Sequence, residues 1–259
     1  RIGAVKLFMD GALGPHTAAM VAPYDSEPEN IGVLLIEKKD LVGILEKAEA
    51  AGFPLAVHAI GDHANHVVLD VLHTACSDQD SSVYNPSNHR IEHAQLLLEE
   101  DFPRFASTCT TASMQPLHAT SDMNMAAKNW GSRCKHSYAW RSLLDAGATL
   151  IFGSDAPVES PNPFLGIHAA VTRRRADGSP GQDGWYPEQR LTPPEALHAY
   201  TAAPAQFFHS KVLAGTLTPG ASADLIVLDH DPLSVDPHAI KDILPSATMS
   251  GGIWRYRSF

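Results

Sequence analysis

The sequence predicts an α/β protein built on a parallel sheet. Three observations carry this expectation. Short apolar runs alternate with longer amphipathic ones, the pattern of βα units. Polar side chains able to do chemistry fall at the C-terminal ends of those runs. From about Gly215 the alternation gives way to short strands separated by Gly, Pro and Asp.

In order, Ala4 to Met9 (AVKLFM) reads as a strand, followed by a Gly/Pro-rich loop and a helix from Glu37 to Ala51 closed by Gly52. Pro54 to His58 (PLAVH) is the second strand. A helix from Asp62 to about Cys76 places Val67, Val68, Val71 and Leu72 on one face. A polar Ser/Asp/Asn loop leads to the third strand, Arg90 to His93 (RIEH). A helix from Asp101 to Ser107 precedes the fourth, Thr110 to Gln115, and a helix from Tyr138 to Ala146, ended by Gly147, precedes the fifth, Ala148 to Gly153. Two further helices are expected over Pro163 to Arg174 and Pro193 to Phe208, the second with prolines in its first turn, where a missing N–H does no harm. Ala223 to Leu228, Ala247 to Met249 and Ile253 to Tyr256 then form a small β unit. No internal repeat or low-complexity segment interrupts this order.

Composition narrows the class of function. With 259 residues, 44% of them hydrophobic, the chain can bury a large core, and a formal charge of −10 argues against a nucleic-acid surface, which needs a basic stripe. Cys76, Cys109 and Cys134 are odd in number and lack CxxC spacing, so neither a disulfide framework nor a cysteine metal site is expected; a reducing, cytoplasmic setting fits. No apolar run has membrane length.

Lys6 lies inside the first strand, His58 and His93 end the second and third, and Asp155 follows the fifth in FGSDAP. In a parallel barrel the active site is built at that face, because successive βα loops converge there. Singly, each residue has an ordinary reading: a hydrogen-bonded core histidine, a helix-capping aspartate, a lysine reaching to the rim. Together at matching strand ends they read as a metal site. Imidazole and carboxylate suit a borderline divalent ion such as zinc, which activates a water, and a neighbouring carboxylate, Asp155, serves as general base. A buried Lys6 would favour its neutral amine, which can add carbon dioxide to give a carbamate able to bridge two metals.

The segments VKLFMDGALG, VHAIGD, RIEHAQ, SMQPLHA and FGSDAPVESPNP, then GTLTPGASADLIVLDHDP and a closing T-x-x-GG, resemble the amidohydrolase superfamily, in its amidohydrolase-3, or YtcJ-like, branch. The resemblance implies a (β/α)8 TIM barrel, with this chain supplying strands 4 to 8 over residues 1–212, and a β-sandwich portion over 213–259. It makes Lys6 the carboxylated lysine, His58 and His93 metal ligands, and Asp155 the aspartate that contacts metal and moves the proton. Gln115 and His118 of the QP-x-H segment would line the site as substrate contacts. One or two ions, zinc foremost, are implied. The paired H-x-H of the family's first strand occurs nowhere in these residues, and the chain starts at Arg1. The expectation is therefore of a longer natural N-terminal region, or of a fragment whose open edges are covered by a companion segment or by homo-oligomerisation.

Other residues carry two readings each. Asp62 and Glu92 are candidates to orient the imidazoles, with helix capping the alternative for Asp62. Trp130, Arg133, Tyr138 and Trp140 form a substrate pocket, Arg133 as a substrate contact, or pack at the surface. His16 reaches substrate or does nothing specific, and Arg173 to Arg175 attract an anion or end a solvated helix. The expected function is metal-dependent hydrolysis of a C–N bond, amide or N-acyl, in a small-molecule substrate. The alternatives are a lactone, carbamate or phosphoester at the same site, or a catalytically incomplete chain with a structural or interaction role.

Overall fold

A computed structural model describes residues 3–77, 89–208 and 213–259. The polar loop expected before the third strand, the Cys76 side chain and the expected boundary at residue 212 lie outside the described residues. The chain divides into two compact units, Arg1–Met114 with Ser121–Leu150, and Gln115–Thr120 with Ile151–Phe259.

The first unit holds β1 (Val5–Phe8), α1 (Lys38–Ala50), β2 (Leu55–Ala59), α2 (Asp62–Ser77), β3 (Arg90–His93), α3 (Phe102–Ser107), β4 (Thr111–Met114) and α5 (Trp140–Asp145). β1 to β4 pair in parallel in sequence order, with Phe8 beside His58, His58 beside Glu92, and Glu92 beside Ser113. β5 (Leu150–Phe152) follows β4 in the strand order, and Thr149, just ahead of it, accepts a hydrogen bond from Ala112 N at 3.0 Å. The sheet is two-faced. Val57, Ile91, Ala112 and Met114 are fully buried, and α2 packs on β2 with α1 and α3 beside it. On the opposite face stand Lys6, Phe8, His58, Arg90, Glu92 and Ser113.

Local chemistry explains the helix limits. In α1, Leu41, Leu45 and Ala48 recur at helical spacing and are buried, and Gly52 takes the left-handed φ of 75° that ends the helix. Gly61, ahead of α2, lies so close to the Ala19 carbonyl that any side chain would collide with it.

α4 (Pro116–Trp130) fills the interval between the fourth strand and the helix expected from Tyr138, to which the sequence pattern assigned no element. Ala119, Met123, Ala126 and Trp130 are buried along one helical stripe, a period present in the sequence but obscured by the polar residues between them. The helix expected over Pro193 to Phe208 is two helices, α7 (Pro193–Tyr200) and α8 (Ala202–Phe207), broken at Thr201 (φ −125°, ψ −80°). Pro204 has no N–H for the Tyr200 carbonyl and its ring would clash there, so a continuous helix is excluded.

The second unit also contains α6 (Pro163–Thr172), which packs on a short 3₁₀ segment at Pro237–Asp242. Ile151, Ala203 and Phe207 share a small apolar cluster. β6 (Leu225–Leu228), β7 (Pro245–Ser250) and β8 (Ile253–Arg257) form the expected small β unit as an antiparallel sheet. Among the described residues no helix is long and apolar enough to cross a membrane.

His89, just ahead of β3, ties α1 to the sheet: its Nδ1 accepts from Leu55 N at 3.1 Å and its Nε2 lies 3.1 Å from Glu49 Oε1. Burial pulls its imidazole down from 6.5 to about 4. Between those values the unfolded chain binds a proton that the folded one refuses, so stability is full above pH 6.5 and drains as pH falls toward 4. At about 1.4 kcal/mol per unit the ceiling is on the order of 3 kcal/mol. Urea denaturation across this window should show the loss, and His89→Asn, whose amide oxygen can still accept from Leu55, should flatten it.

Candidate active site

The sheet face opposite the helices gathers the first half of the predicted set. His58 and His93 are brought together: their rings are 4.7 Å apart, centroid to centroid, in an edge-to-face arrangement. Simple alternation along β3 would send His93 to the same side as buried Ile91. Instead the backbone turns left-handed at His93 (φ 75°) and Ala94 (φ 42°), ending the strand and re-aiming the ring. His58 packs on Phe8 at 5.1 Å, and its Nε2 lies 2.8 Å from the Gly11 carbonyl. A carbonyl only accepts, so Nε2 carries the proton and Nδ1 keeps its lone pair. That is the tautomer a metal ligand needs when it binds through Nδ1.

Lys6 stands on the same face, its ammonium 5.1 Å from the Phe8 ring centroid. It is exposed, which corrects the expectation of a buried lysine. The strand opens to solvent at alternate positions, Phe8 being 53% exposed. Glu92 sits between Arg90, whose Nε is 2.6 Å from Oε1, and Ser113. Burial raises its carboxyl, but Ser113, Arg90 and the charge of Lys6 outweigh burial and hold it below the usual carboxylate range. Glu92 thus pairs with Arg90 instead of orienting an imidazole.

Asp155, Gln115 and His118 belong to the second unit. Asp155 follows β5 in a left-handed conformation (φ 55°), exposed, its carbonyl accepting from Val158 N. Gln115 is buried ahead of α4, and His118 lies in that helix's first turn with its amide bonded to the Gln115 carbonyl. Among the described residues no group of three or more His, Cys, Asp or Glu side chains has the geometry to hold a metal ion. What the structure does supply is the His58–His93 pair, with His58 in a suitable tautomer, and the donor set fits a divalent ion to that extent.

The residue sequence reasoning missed is Asp10. It is 1% exposed, accepts from Ile60 N through Oδ1 at 3.0 Å and from Ala19 N and Gly61 N through Oδ2 at 2.9 and 2.8 Å, and its Oδ1 is 3.7 Å from His58 Nε2. Burial pushes the carboxyl up to about 6 against the pull of those three amides. The available signal was an aspartate directly after an apolar strand, inside the quoted VKLFMDGALG. Asp62, the first residue of α2, fastens the β1–α1 loop: its Oδ1 accepts from Val21 N and also from His63 N, both at 2.8 Å.

Several candidates have structural duties. Arg133 donates to the carbonyls of Ala22 and Pro23 at 2.7 Å each, to Trp130 O at 3.2 Å, and pairs with Asp25 at 3.1 Å. Its planar fork therefore braces the β1–α1 loop. Trp130, Tyr138 and Trp140 are core residues, neither pocket nor surface, with Tyr138 Oη donating to Asp122 at 2.6 Å. His16 is stacked on Tyr24 and held through Nδ1 by Glu27. The three arginines from Arg173 diverge. Buried Arg173 donates to Trp185 O, Arg174 reaches Gly178 O and His238, and Arg175 donates to Thr120 O, so they form neither an anion cluster nor a solvated helix end.

The sequence profile of the Amidohydrolase family matches residues 1–256. The Bacillus subtilis (strain 168) protein YtcJ, an amidohydrolase by name, is 35% identical over 237 residues, covering 91% of this chain and 43% of its own length. N-substituted formamide deformylase of Arthrobacter pascens is 26% identical over 258 residues, covering 99% of this chain and 46% of its own. An uncharacterized metal-dependent hydrolase from Pyrococcus horikoshii OT3 superposes with a TM-score of 0.79 at 36% identity, over 91% of this chain and 46% of that one. The chain belongs to the amidohydrolase family. It spans less than half the length of these relatives.

Removing the Arg133 fork should loosen the loop it braces. Arg133→Ala is expected to lower stability by about 1–3 kcal/mol, the range for losing hydrogen bonds from a charged donor. Urea denaturation and limited proteolysis between Ala22 and Asp25 would register it. An unchanged midpoint would return Arg133 to the list of ligand contacts.

Proposed function

We propose that this chain supplies His58 and His93 as the imidazole pair of a divalent metal centre, zinc foremost, that hydrolyses a C–N bond of amide or N-acyl type in a small molecule. The observation that carries the reading is the pair itself: two imidazoles in contact at the ends of adjacent parallel strands, one with its Nε2 proton on the Gly11 carbonyl. The frame we propose is a (β/α)8 barrel to which residues 1–212 contribute strands 4 to 8, with a β-sandwich portion over 213–259. Family membership and the deformylase relative support both the hydrolytic class and the C–N bond.

When bound, the ion supplies acidification of water and polarisation of the scissile carbonyl. The chain's own residues do the rest. His58 and His93 hold and orient it. The Asp155 carboxylate takes the proton of the attacking water and returns it to the leaving nitrogen as the C–N bond breaks, so the proton balance closes on one residue. The left-handed backbone at Asp155 keeps that side chain on a tight turn directly after a strand. Gln115 and His118 are proposed to contact the substrate. Lys6, on the same sheet face as His58, is the proposed site of a carbamate, formed when its neutral amine adds carbon dioxide and gives up a proton.

Elemental analysis of the purified chain tests the reading first. About one or two ions per chain are expected, falling at least on the order of 10-fold in affinity for His58→Ala or His93→Ala, since even residues behind a ligand carry effects of that size. Asp155→Asn should keep the ion and lose roughly 10²–10⁴ in rate on N-formyl and N-acyl amides. Preferential turnover of lactones or phosphoesters would replace the bond assignment. A chain that takes up no ion under any loading would refute the catalytic reading and favour a structural or interaction role.

A further inference from the structure

The geometry points to Asp10 as the positioning residue that fixes the tautomer and orientation of His58, and that ties this ring to the conformation of the β1–α1 loop. The inference rests on the proposed role of His58 as a ligand, but its geometry stands apart from any bound ion.

Asp10 lies just past β1, its side chain fully buried. Its two oxygens accept three backbone N–H groups from two separate segments: Ala19 in the β1–α1 loop, and Ile60 and Gly61 in the turn from β2 into α2. His58 is the penultimate residue of β2, and the same carboxylate grips the chain near the ring from two segments: Gly11 is its sequence neighbour, and Ile60 and Gly61 lie two and three residues after His58. At 3.7 Å the carboxylate does not itself accept from Nε2; that proton goes to the Gly11 carbonyl at 2.8 Å.

The consequence is electrostatic. Two acceptors, the Gly11 carbonyl and Asp10 Oδ1, face Nε2 from one side. A lone pair on Nε2 would meet two oxygen lone pairs with no donor between them, so the proton is held on Nε2 and the donor pair on Nδ1. Gly11 is itself pinned, its N–H donating to Thr17 O at 3.2 Å while Ala12 N donates to Thr17 Oγ1 at 3.0 Å. Through Ala19, Asp10 also sets where the loop carrying His16 and Tyr24 runs. A shift of that loop therefore reaches His58 by way of a single carboxylate.

The test is the nitrogen spectrum of His58 in the purified, metal-free chain, with zinc affinity measured by competition against a chromophoric chelator. The wild-type ring is expected as the Nε2–H tautomer. Asp10→Asn exchanges one acceptor oxygen for an N–H₂ donor, which leaves an amide unmatched and puts a donor where an acceptor was. It should give mixed tautomers and roughly 10–100-fold weaker zinc binding, the range for losing a group behind a ligand. Asp10→Glu, which keeps the acceptor charge, should restore part of both. A folded Asp10→Asn variant that keeps the Nε2–H tautomer and wild-type zinc affinity would overturn the proposal. Where neither variant folds, the wild-type spectrum decides: an Nδ1–H ring overturns it, and a slowly exchanging Nε2–H supports it. A wild-type chain that binds no zinc yet shows the Nε2–H tautomer, lost in Asp10→Asn, would sink the ligand role of His58 and leave the Asp10 contact standing.

Discussion

Asp10 is a carboxylate buried among backbone amides, with three N–H donors around it in place of a lysine or arginine. Taking such a group out of water is costly, and the cost shows as a carboxyl pushed up to about 6. The arrangement is tolerable because the alternative is worse: without the carboxylate, three buried amides from two segments would lack acceptors together. The segment between β1 and α1 has no helix or strand to organise it, and loops of that length in a compact unit need another source of order. Side chains provide it. Asp10 holds Ala19, Asp62 holds Val21, Arg133 holds Ala22 and Pro23, and Tyr24 Oη reaches the Ala18 carbonyl. The loop is a string of backbone groups fastened from the side, and the fastening starts beside His58.

That dependence explains what the sequence made legible. Strand and helix positions follow from periodicity, and Arg90–His93 emerged with the bounds expected because four residues between polar stretches leave little freedom. Breaks were harder. Thr201 looks like any helical threonine, and only Pro204 three residues on forbids continuation. α4 was hidden because its buried stripe, Ala119, Met123, Ala126 and Trp130, includes two alanines, whose small apolar signal is swamped by Ser121, Asp122, Asn124, Lys128 and Asn129.

For the site, His58 and His93 were legible as strand-end imidazoles, whereas their contact depends on a left-handed turn that residue type does not announce. Arg133 was legible as an unusual charge near aromatics, but its role is decided by carbonyls more than a hundred residues away in sequence, which composition cannot reveal. Asp10 showed only its place after an apolar strand, and its role was hidden for a similar reason. Its partners are backbone N–H groups, which every residue but proline carries, so nothing in the identities of Ala19, Ile60 or Gly61 marks them as donors to a common acceptor.

The left-handed positions separate geometry from chemistry. Glycine occupies that region at little cost, and Gly52 and Gly147 do so where a helix must simply stop. His93 and Asp155 occupy it with side chains that make it more expensive, each at or just beyond the end of a strand. Arg173 shows what justifies such a residue elsewhere: it caps α6 at φ 57° and recovers the cost by burying a guanidinium against Trp185 and donating to its carbonyl. His93 makes ring contact with His58, and Asp155 is exposed. If folding alone governed these two positions, glycine would serve better. An imidazole and a carboxylate at these two turns suit the metal-holding and proton-transfer roles proposed for them.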